Sequence, residues 1–315
     1  MRLNKNLCQF MILLGAIPIA AASVSAAPVV STQGLIDWFD PGVGLTLDAT
    51  GYVTAWANQG SGNAITGPLQ QTSLVAGPND TNMIRFDLGN GQAGLRYNPS
   101  GHLKDGYTIF AAVRVNDPIA NWNDFQRFVR TADDQQVLFA RKASPAGDTQ
   151  IIAYPITQPG ANRPSYLYTN GYALGDGEGG LGDLAILTAR LEQHRQTLYF
   201  NGTPVAERTV SATVPYTVGV SQWEIGNSVI GDIGNVLIYD NSLTDAAFDT
   251  TGMALAAHYG VSWAPTQPVV HWKLEGNLAN SGIGGSQYDG TIEGTSSEYV
   301  GGKFANSQGL HLDGA

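Results

Sequence analysis

The stretch "GDIGNVLIYDNSLTDAAFDTTGMALAAHYGV", Gly231 to Val261, reads as a long strand that hands over to a helix. Its first half is β-branched and aromatic, which suits a pleated, half-buried surface. Thr244 then stands where an N-cap accepts from the first helical N–H groups. Asp245 falls in the first turn, where the helix dipole favours a negative charge, and Gly260 supplies a stop. Ala247, Phe248, Thr251, Leu255 and Tyr259 recur at helical spacing. The segment is therefore expected to be a last strand followed by a closing helix that packs across one edge of a β structure.

Upstream of it, from Gly34 onward, strand signals follow one another without a helical pattern between them. "YVTAW" (Tyr52 to Trp56), "MIRFDL", "YTIFAAVRV" (Tyr107 to Val115), "QVLFA", "QIIAY", "SYLYT", "LAILTARLE", "TLYFNG", "WEIGN" and "VIGDIGNVLIY" are short and separated by Gly, Asn, Asp or Pro clusters. So many strands at such spacing predict an all-β sandwich or barrel. In "YFNGTPV", Asn201-Gly202 has the composition of a tight hairpin turn, in which both central residues take positive φ. Trp38, Trp56, Trp223 and Trp272 sit within strands and are expected in the core.

Downstream, "VSWAPTQPVV" places Pro265 and Pro268 in a stiff extended linker. The start then recurs. "VVHWKLEGN" (Val269 to Asn277) has the design of "GLIDWFDPG" (Gly34 to Gly42), and "GLHLDGA" repeats that of "MIRFDLG". The segment offers about three strands, too few for an independent β core. The expected organisation is a signal peptide over 1–26, a β-sandwich over 28–264, and a linker with the incomplete N-terminal part of a second similar domain over 265–315.

The leader has a positive n-region with Arg2 and Lys5, the apolar run "LCQFMILLGAIPIAAA" and small residues before Ala27. Its apolar run is shorter than the roughly 20 residues of a spanning helix, so cleavage after Ala26 is expected. Cys8, the one cysteine, lies inside it. The mature chain would hold together without disulfides, secreted or at the cell surface, with no membrane insertion after cleavage. Sixteen basic against 26 acidic residues give a net charge of −10, and losing Arg2 and Lys5 makes the balance two units more negative. Phosphate backbones, and with them nucleic acids, are poor partners for such a surface.

The motifs point to a family. The Gly-rich entry to the last strand, its end at Tyr239-Asp240, "SLTD", and a helix finishing "HYG" resemble the closing signature of bacterial LamG-like, concanavalin A-like jelly-roll domains. "YTIFAAVRV", "LYFNGTPV" and "WEIGN" fall in that family's order, and "VVHWKLEGN" onward resembles the opening of a second member. The resemblance covers nearly the whole mature chain and implies an antiparallel jelly-roll β-sandwich. It also implies a structural calcium held by an acidic residue of the first strand and an Asp at the start of the last. The sequence departs from that pattern: "IGNV" has Gly234 and Asn235 where Asp-Glu is usual, leaving Asp40 and Asp232 as the nearby carboxylates. No metal residue is nominated.

Chemistry is sparse. A β-glucan-cleaving strand of this fold carries Glu-x-Asp-x-x-Glu, and Glu224 and Glu192 stand without carboxylate partners at strand spacing. No Gly-x-Ser-x-Gly elbow and no paired-histidine metal spacing occur; His102, His194, His258, His271 and His311 are scattered. "GDGEGG" (Gly175 to Gly180) lacks the strand-to-helix setting of a nucleotide loop. Asp176, Glu178 and Asp183 would suit calcium better, although a merely solvated acidic loop fits the same residues. No catalytic residue is nominated.

For binding, aromatic faces stack on pyranose rings while polar neighbours hold the hydroxyls. "RPSYLYTNGYALGDGEGG" combines both: Tyr166 and Tyr168 share one face of a strand, with Tyr172, Asn170 and Asp176 in the following loop, and Trp122 stands in the polar stretch "NDPIANWNDFQR". Core lining is the competing assignment for the tyrosines. The expected function is a non-catalytic carbohydrate-binding or adhesion module of a multidomain extracellular protein, with a polysaccharide or glycoconjugate and further domains of the same chain as partners. A glycan hydrolase or lyase with a dispersed acidic pair and a structural spacer are the alternatives.

Overall fold

The computed structural model describes residues 26–66, 72–87, 94–99, 106–115, 125–131, 136–142, 149–153, 167–168, 183–192, 194–209, 222–266, 297–301 and 308–312. In chain order its strands are β1 (Leu35–Phe39), β2 (Leu45–Leu47), β3 (Val53–Trp56), β4 (Ile65–Thr66), β5 (Thr72–Ala76), β6 (Asn82–Asp87), β7 (Leu95–Tyr97) and β8 (Tyr107–Val115). There follow β9 (Phe125–Thr131), β10 (Gln136–Lys142), β11 (Thr149–Ala153), β12 (Leu167–Tyr168), β13 (Ala185–Glu192), β14 (Arg195–Phe200), β15 (Thr203–Thr209), β16 (Trp223–Asn227) and β17 (Ile230–Tyr239). The helix α1 (Asp245–Tyr259) comes next, and β18 (Ser297–Gly301) and β19 (Gln308–Leu312) form a separate hairpin.

Two antiparallel sheets make the expected jelly-roll sandwich. The larger runs β15-β14-β13-β8-β17-β6-β5, with β1 also on β17; the smaller runs β12-β11-β10-β9-β16-β7. A three-stranded sheet β2-β3-β4 lies beside them. Alternation builds the core between the sheets. Ile109, Ala111 and Val113 of β8 and Leu187 and Ala189 of β13 meet Leu95, Phe128, Leu138, Trp223 and Ile225 from the smaller sheet. Trp56 and Trp223 are buried there as the sequence predicts, and the Trp56 indole N–H donates to the Asp40 carbonyl at 2.9 Å. Trp38 is half-buried on the other side of the larger sheet, and Trp272 lies outside the described residues. The β14–β15 hairpin turns at Asn201 (φ 48°) and Gly202 (φ 82°), the positive pair that its sequence requires.

The helix forms where expected. The Thr244 hydroxyl accepts from the Ala247 N–H, and Gly260 ends the helix in the left-handed region at φ 68°. It covers a face of the larger sheet, however, and not an edge. Phe248, Leu255 and Ala256 pack on Phe110, Ile186, Tyr199, Leu237 and Tyr239, side chains that point away from the sandwich core. The physical reason is that β8, β13 and β17 are apolar on both sides and need a cover on each.

Both flanks of the domain lie over that helix. The Trp263 ring packs on Phe110 and Phe248, and a Cβ at Gly252 would come within 2.1 Å of it, so only glycine fits there. Buried Asp249 accepts from Thr266 N at 2.9 Å, Thr266 Oγ1 at 2.7 Å and Trp263 Nε1 at 3.3 Å, which fixes the chain as far as Thr266. On the N-terminal side, Ser31 N donates to Thr251 Oγ1 at 3.2 Å and Tyr239 donates to the Ser31 carbonyl at 3.0 Å.

Candidate functional site

The outer face of the smaller sheet is built differently. In β16, Trp223 and Ile225 enter the core, so alternation turns Glu224 outward. Gly226 then takes φ +79° against the Phe86 ring, which a Cβ would approach to 2.2 Å. That irregularity brings Asn227 back to the outer side three residues after Glu224. The neighbouring β9 breaks step in the same way: Phe128 and Val129 both enter the core, leaving Arg127 and Arg130 outside. Register aligns the two irregular strands, with Arg130 and Arg96 opposite Glu224 and Arg127 opposite Asn227.

The result is two rows of planar polar groups. Glu224 is buried and accepts from Arg130 Nε, Gly94 N at 2.6 Å, Asn227 Nδ2 at 3.1 Å and Arg96 Nε at 3.4 Å. Burial alone would raise its pKa, but Arg130, Asn227 and the Gly94 amide outweigh burial and hold the carboxyl below its usual range. Arg127 Nη1 donates to Asn227 Oδ1 at 3.1 Å and to the Phe125 carbonyl at 3.4 Å, with its guanidinium carbon 5.1 Å from the Phe125 ring centre. In register beyond Asn227 and Arg127 the polar groups give way to the buried apolar side chains of Phe139 and Ile152, with Tyr168 paired opposite Ile152.

Tyr168 thus belongs to β12, the outermost strand of this sheet, opposite Ile152. Trp122, Tyr166, Tyr172 and Asp176 lie outside the described residues, as do Asn170 and Glu178. Asp183 is exposed. Sequence reasoning missed Arg96, Arg127, Arg130 and Asn227, and noted Glu224 only for its lack of a carboxylate partner; its partners are arginines.

Glu192, the other acid considered, sits in the larger sheet, 2.9 Å from Arg195, so it cannot pair with Glu224. A carboxyl with a raised pKa does exist: burial pushes Asp37 up to about 6, partly offset by Asn58 Nδ2 at 2.6 Å and the Tyr97 hydroxyl at 3.0 Å. Asp37 is sealed between the sheets, where no polymer reaches it.

The calcium position implied by the family resemblance does not fit calcium here. Asp232 is taken by Arg85, at 2.8 and 3.1 Å, and by Arg114, so it cannot stand in for the missing acidic pair. Gly234 has no room for an acidic side chain, because a Cβ there would lie 2.3 Å from the Tyr259 hydroxyl. Asn235 gives its N–H and its Nδ2 to that hydroxyl at 2.7 and 2.9 Å and accepts from Trp38 Nε1 at 2.7 Å. Asp40 remains. Its Oδ1 accepts from Gly42 N at 2.7 Å, and its Oδ2 is buried without a hydrogen bond among the described residues. Burial raises its pKa against the pull of the Gly42 amide and the nearby His258 and Asn235. One carboxylate beside a phenol and an engaged amide falls short of six to eight oxygens. Among the described residues no group of three or more His, Cys, Asp or Glu is placed to hold a metal.

The fold defines the class: an antiparallel β-sandwich with one outer face covered by a helix and the other carrying polar rows. No family model and no curated protein matches the chain. Solved structures with a similar arrangement include the binding domain of Paraclostridial Mosquitocidal Protein 1, at 14% identity over 72% of this chain and 55% of that one, TM-score 0.48. Domain 4 of AbnA, a GH43 extracellular arabinanase from Geobacillus stearothermophilus in complex with arabinotriose, is 14% identical over 71% of this chain and 100% of that one, TM-score 0.47. The sialidase of Trypanosoma rangeli in complex with sialic acid is 13% identical over 75% and 36%, TM-score 0.46. The chain spans about half the length of the toxin binding domain and about a third of the sialidase.

Proposed function

We propose that the chain is a secreted, LamG-like carbohydrate-binding module without catalytic activity, and that it engages an extracellular polysaccharide on the outer face of the smaller sheet. The observation that carries this reading is the asymmetry of the two outer faces. Helix α1 and both domain flanks cover the larger sheet with apolar side chains, whereas the smaller sheet carries Arg96, Glu224, Arg130, Asn227 and Arg127 in register. Glu224 is held ionised and saturated with donors, which suits a fixed orienting group and disqualifies it as a general acid. No helix among the described residues is long and apolar enough to cross a membrane. Secretion itself rests on the leader over 1–26.

Binding at each site should be weak, because a shallow stacking platform buries little ligand surface and must displace well-held water. On a polysaccharide array, the full chain is expected to be retained by a subset of polymers. Tyr172→Ala and Trp122→Ala, in the segments nominated by the sequence, should each lower retention several-fold, about 1 kcal/mol per lost stacking contact, while the unfolding midpoint stays put. Retention by no polymer sinks the recognition reading; unchanged retention of both variants removes those two residues from the site.

A further inference from the structure

We infer that leader removal creates a structural ion pair: the α-ammonium freed at Ala27 becomes the second donor to Asp40 and clamps the first residues of the mature chain onto the domain. Cleavage after Ala26 is the premise; carbohydrate recognition is not. The described residues bury Asp37, Asp40, Asp232 and Asp249. Asp37 takes Asn58 Nδ2 on one oxygen and the Tyr97 hydroxyl on the other. Asp232 takes Arg85 on both oxygens and Arg114 on one. Asp249 takes Trp263 Nε1 and Thr266 N on one oxygen and the Thr266 hydroxyl on the other. Asp40 differs. Its Oδ1 accepts from Gly42 N, whereas its buried Oδ2 has no hydrogen bond among the described residues. A carboxylate oxygen buried in this way is costly unless a donor or a cation meets it.

The N-terminal flank carries the new charge to the neighbourhood of this carboxylate. Ser31 is held by Thr251 Oγ1 and the Tyr239 hydroxyl, Val30 packs with Leu35 and Trp38 on the outer face of the larger sheet, and Pro28 is buried. This strap reaches the C-terminal end of α1, where the His258 ring donates to the Ala26 carbonyl. Asp40 arrives at the same place by another route: it follows β1, whose pairing with β17 sets it beside Asn235, the partner of Tyr259. Burial holds the His258 pKa below its ordinary value despite Asp40 and the Ala26 carbonyl, so at pH 7 the ring is neutral and brings Asp40 no cation. Hydrolysis adds water across the Ala26–Ala27 amide: the leader leaves as a carboxylate, and Ala27 N takes up the protons that make it an ammonium. Peptide geometry puts that nitrogen about 2 Å from the Ala26 carbonyl oxygen, hence beside His258, before the bond is cut. Ala27 is exposed, so the ammonium keeps part of its water while facing Asp40, and only the carboxylate side of the pair is desolvated.

The test uses the full mature chain at about pH 7, with its N-terminus read by intact mass. It is compared with the same chain acetylated at Ala27, which removes the charge, and with the same chain preceded by Gly-Ser-Gly, which moves the charge away. Each change should lower the thermal midpoint by about 5 °C. In Asp40→Asn, whose side-chain oxygen can still accept from Gly42 N, the same changes should shift the midpoint by less than about 1 °C. The labelling rate of the α-amine by acetic anhydride is measured on the parent as well. Only the unprotonated amine reacts, so the pair should slow labelling at least about threefold in the folded chain relative to the chain in urea. Should Asp40→Asn not fold, the labelling rate decides. Equal midpoints for the parent forms, or equal labelling rates, overturn the pair. A loss that persists undiminished in Asp40→Asn overturns Asp40 as the partner. A mature chain that begins elsewhere than at Ala27 overturns the premise and the pair with it.

Discussion

Raising the pH from about 3 to about 7 should cost the sandwich about 3 kcal/mol of unfolding free energy through Asp37 alone. The carboxyl is buried between the sheets, and burial lifts its pKa from 3.8 to about 6 despite the Asn58 amide and the Tyr97 hydroxyl. A folded pKa above the unfolded one means that the native state binds more protons between those two values. The contribution is therefore fully present only well below the unfolded value, near pH 3, declines as pH rises toward 6, and levels off above it. Asp37→Asn removes the titration and keeps the geometry, since its amide can accept from Asn58 and donate to the Tyr97 oxygen. Urea unfolding of both proteins across this window should show the variant gaining on the parent by about 3 kcal/mol between pH 3 and pH 7. A constant difference would mean that Asp37 ionises in the core at no cost, contrary to its sealed setting.

Phe248→Ala should destabilise the domain by about 3–5 kcal/mol, lowering the thermal midpoint by about 10 °C. Phe248 is fully buried under α1, with ring centres 4.6 Å from Tyr199 and 5.4 Å from both Phe110 and Trp263, and the Arg190 guanidinium 5.4 Å away. Truncation opens a cavity beneath a helix whose other supports, the Thr244 cap and the Asp249 contacts, cannot move to fill it. Calorimetry decides between this and the alternative of a helix merely laid along an edge, for which the loss would stay below about 1 kcal/mol.

Much of the fold was legible because its signals are local. The unbroken apolar run of "YTIFAAV", the Asn201-Gly202 turn and the Thr244 and Gly260 caps each say what their own segment does. That same apolar run also held the information that was misjudged: a strand buried on one side alternates, and this one does not, so a cover on the second face was implied. The site was hidden for a different reason. In "FQRFVRT", Arg127 and Arg130 are three apart, which breaks the period of two, and the strand β9 went unrecognised within a polar stretch. Gly226 inside "WEIGN" is the matching irregularity, and only the register shows that the two coincide. Gly94 and Glu224 meet across 130 residues, a distance over which side-chain spacing carries no signal. The tyrosines of 166–172 attracted attention because they are neighbours in sequence, whereas the polar rows come from β7, β9 and β16 and become neighbours only in the sheet.

Hydrogen exchange of the full chain, with and without the best-retained polysaccharide, is the most direct test of where this protein works. Added protection is expected in residues 94–97, 125–131 and 223–227, with residues 245–266 of the helical side unchanged. Protection centred on α1 and its flanking segments, with those three strands unaffected, would contradict it.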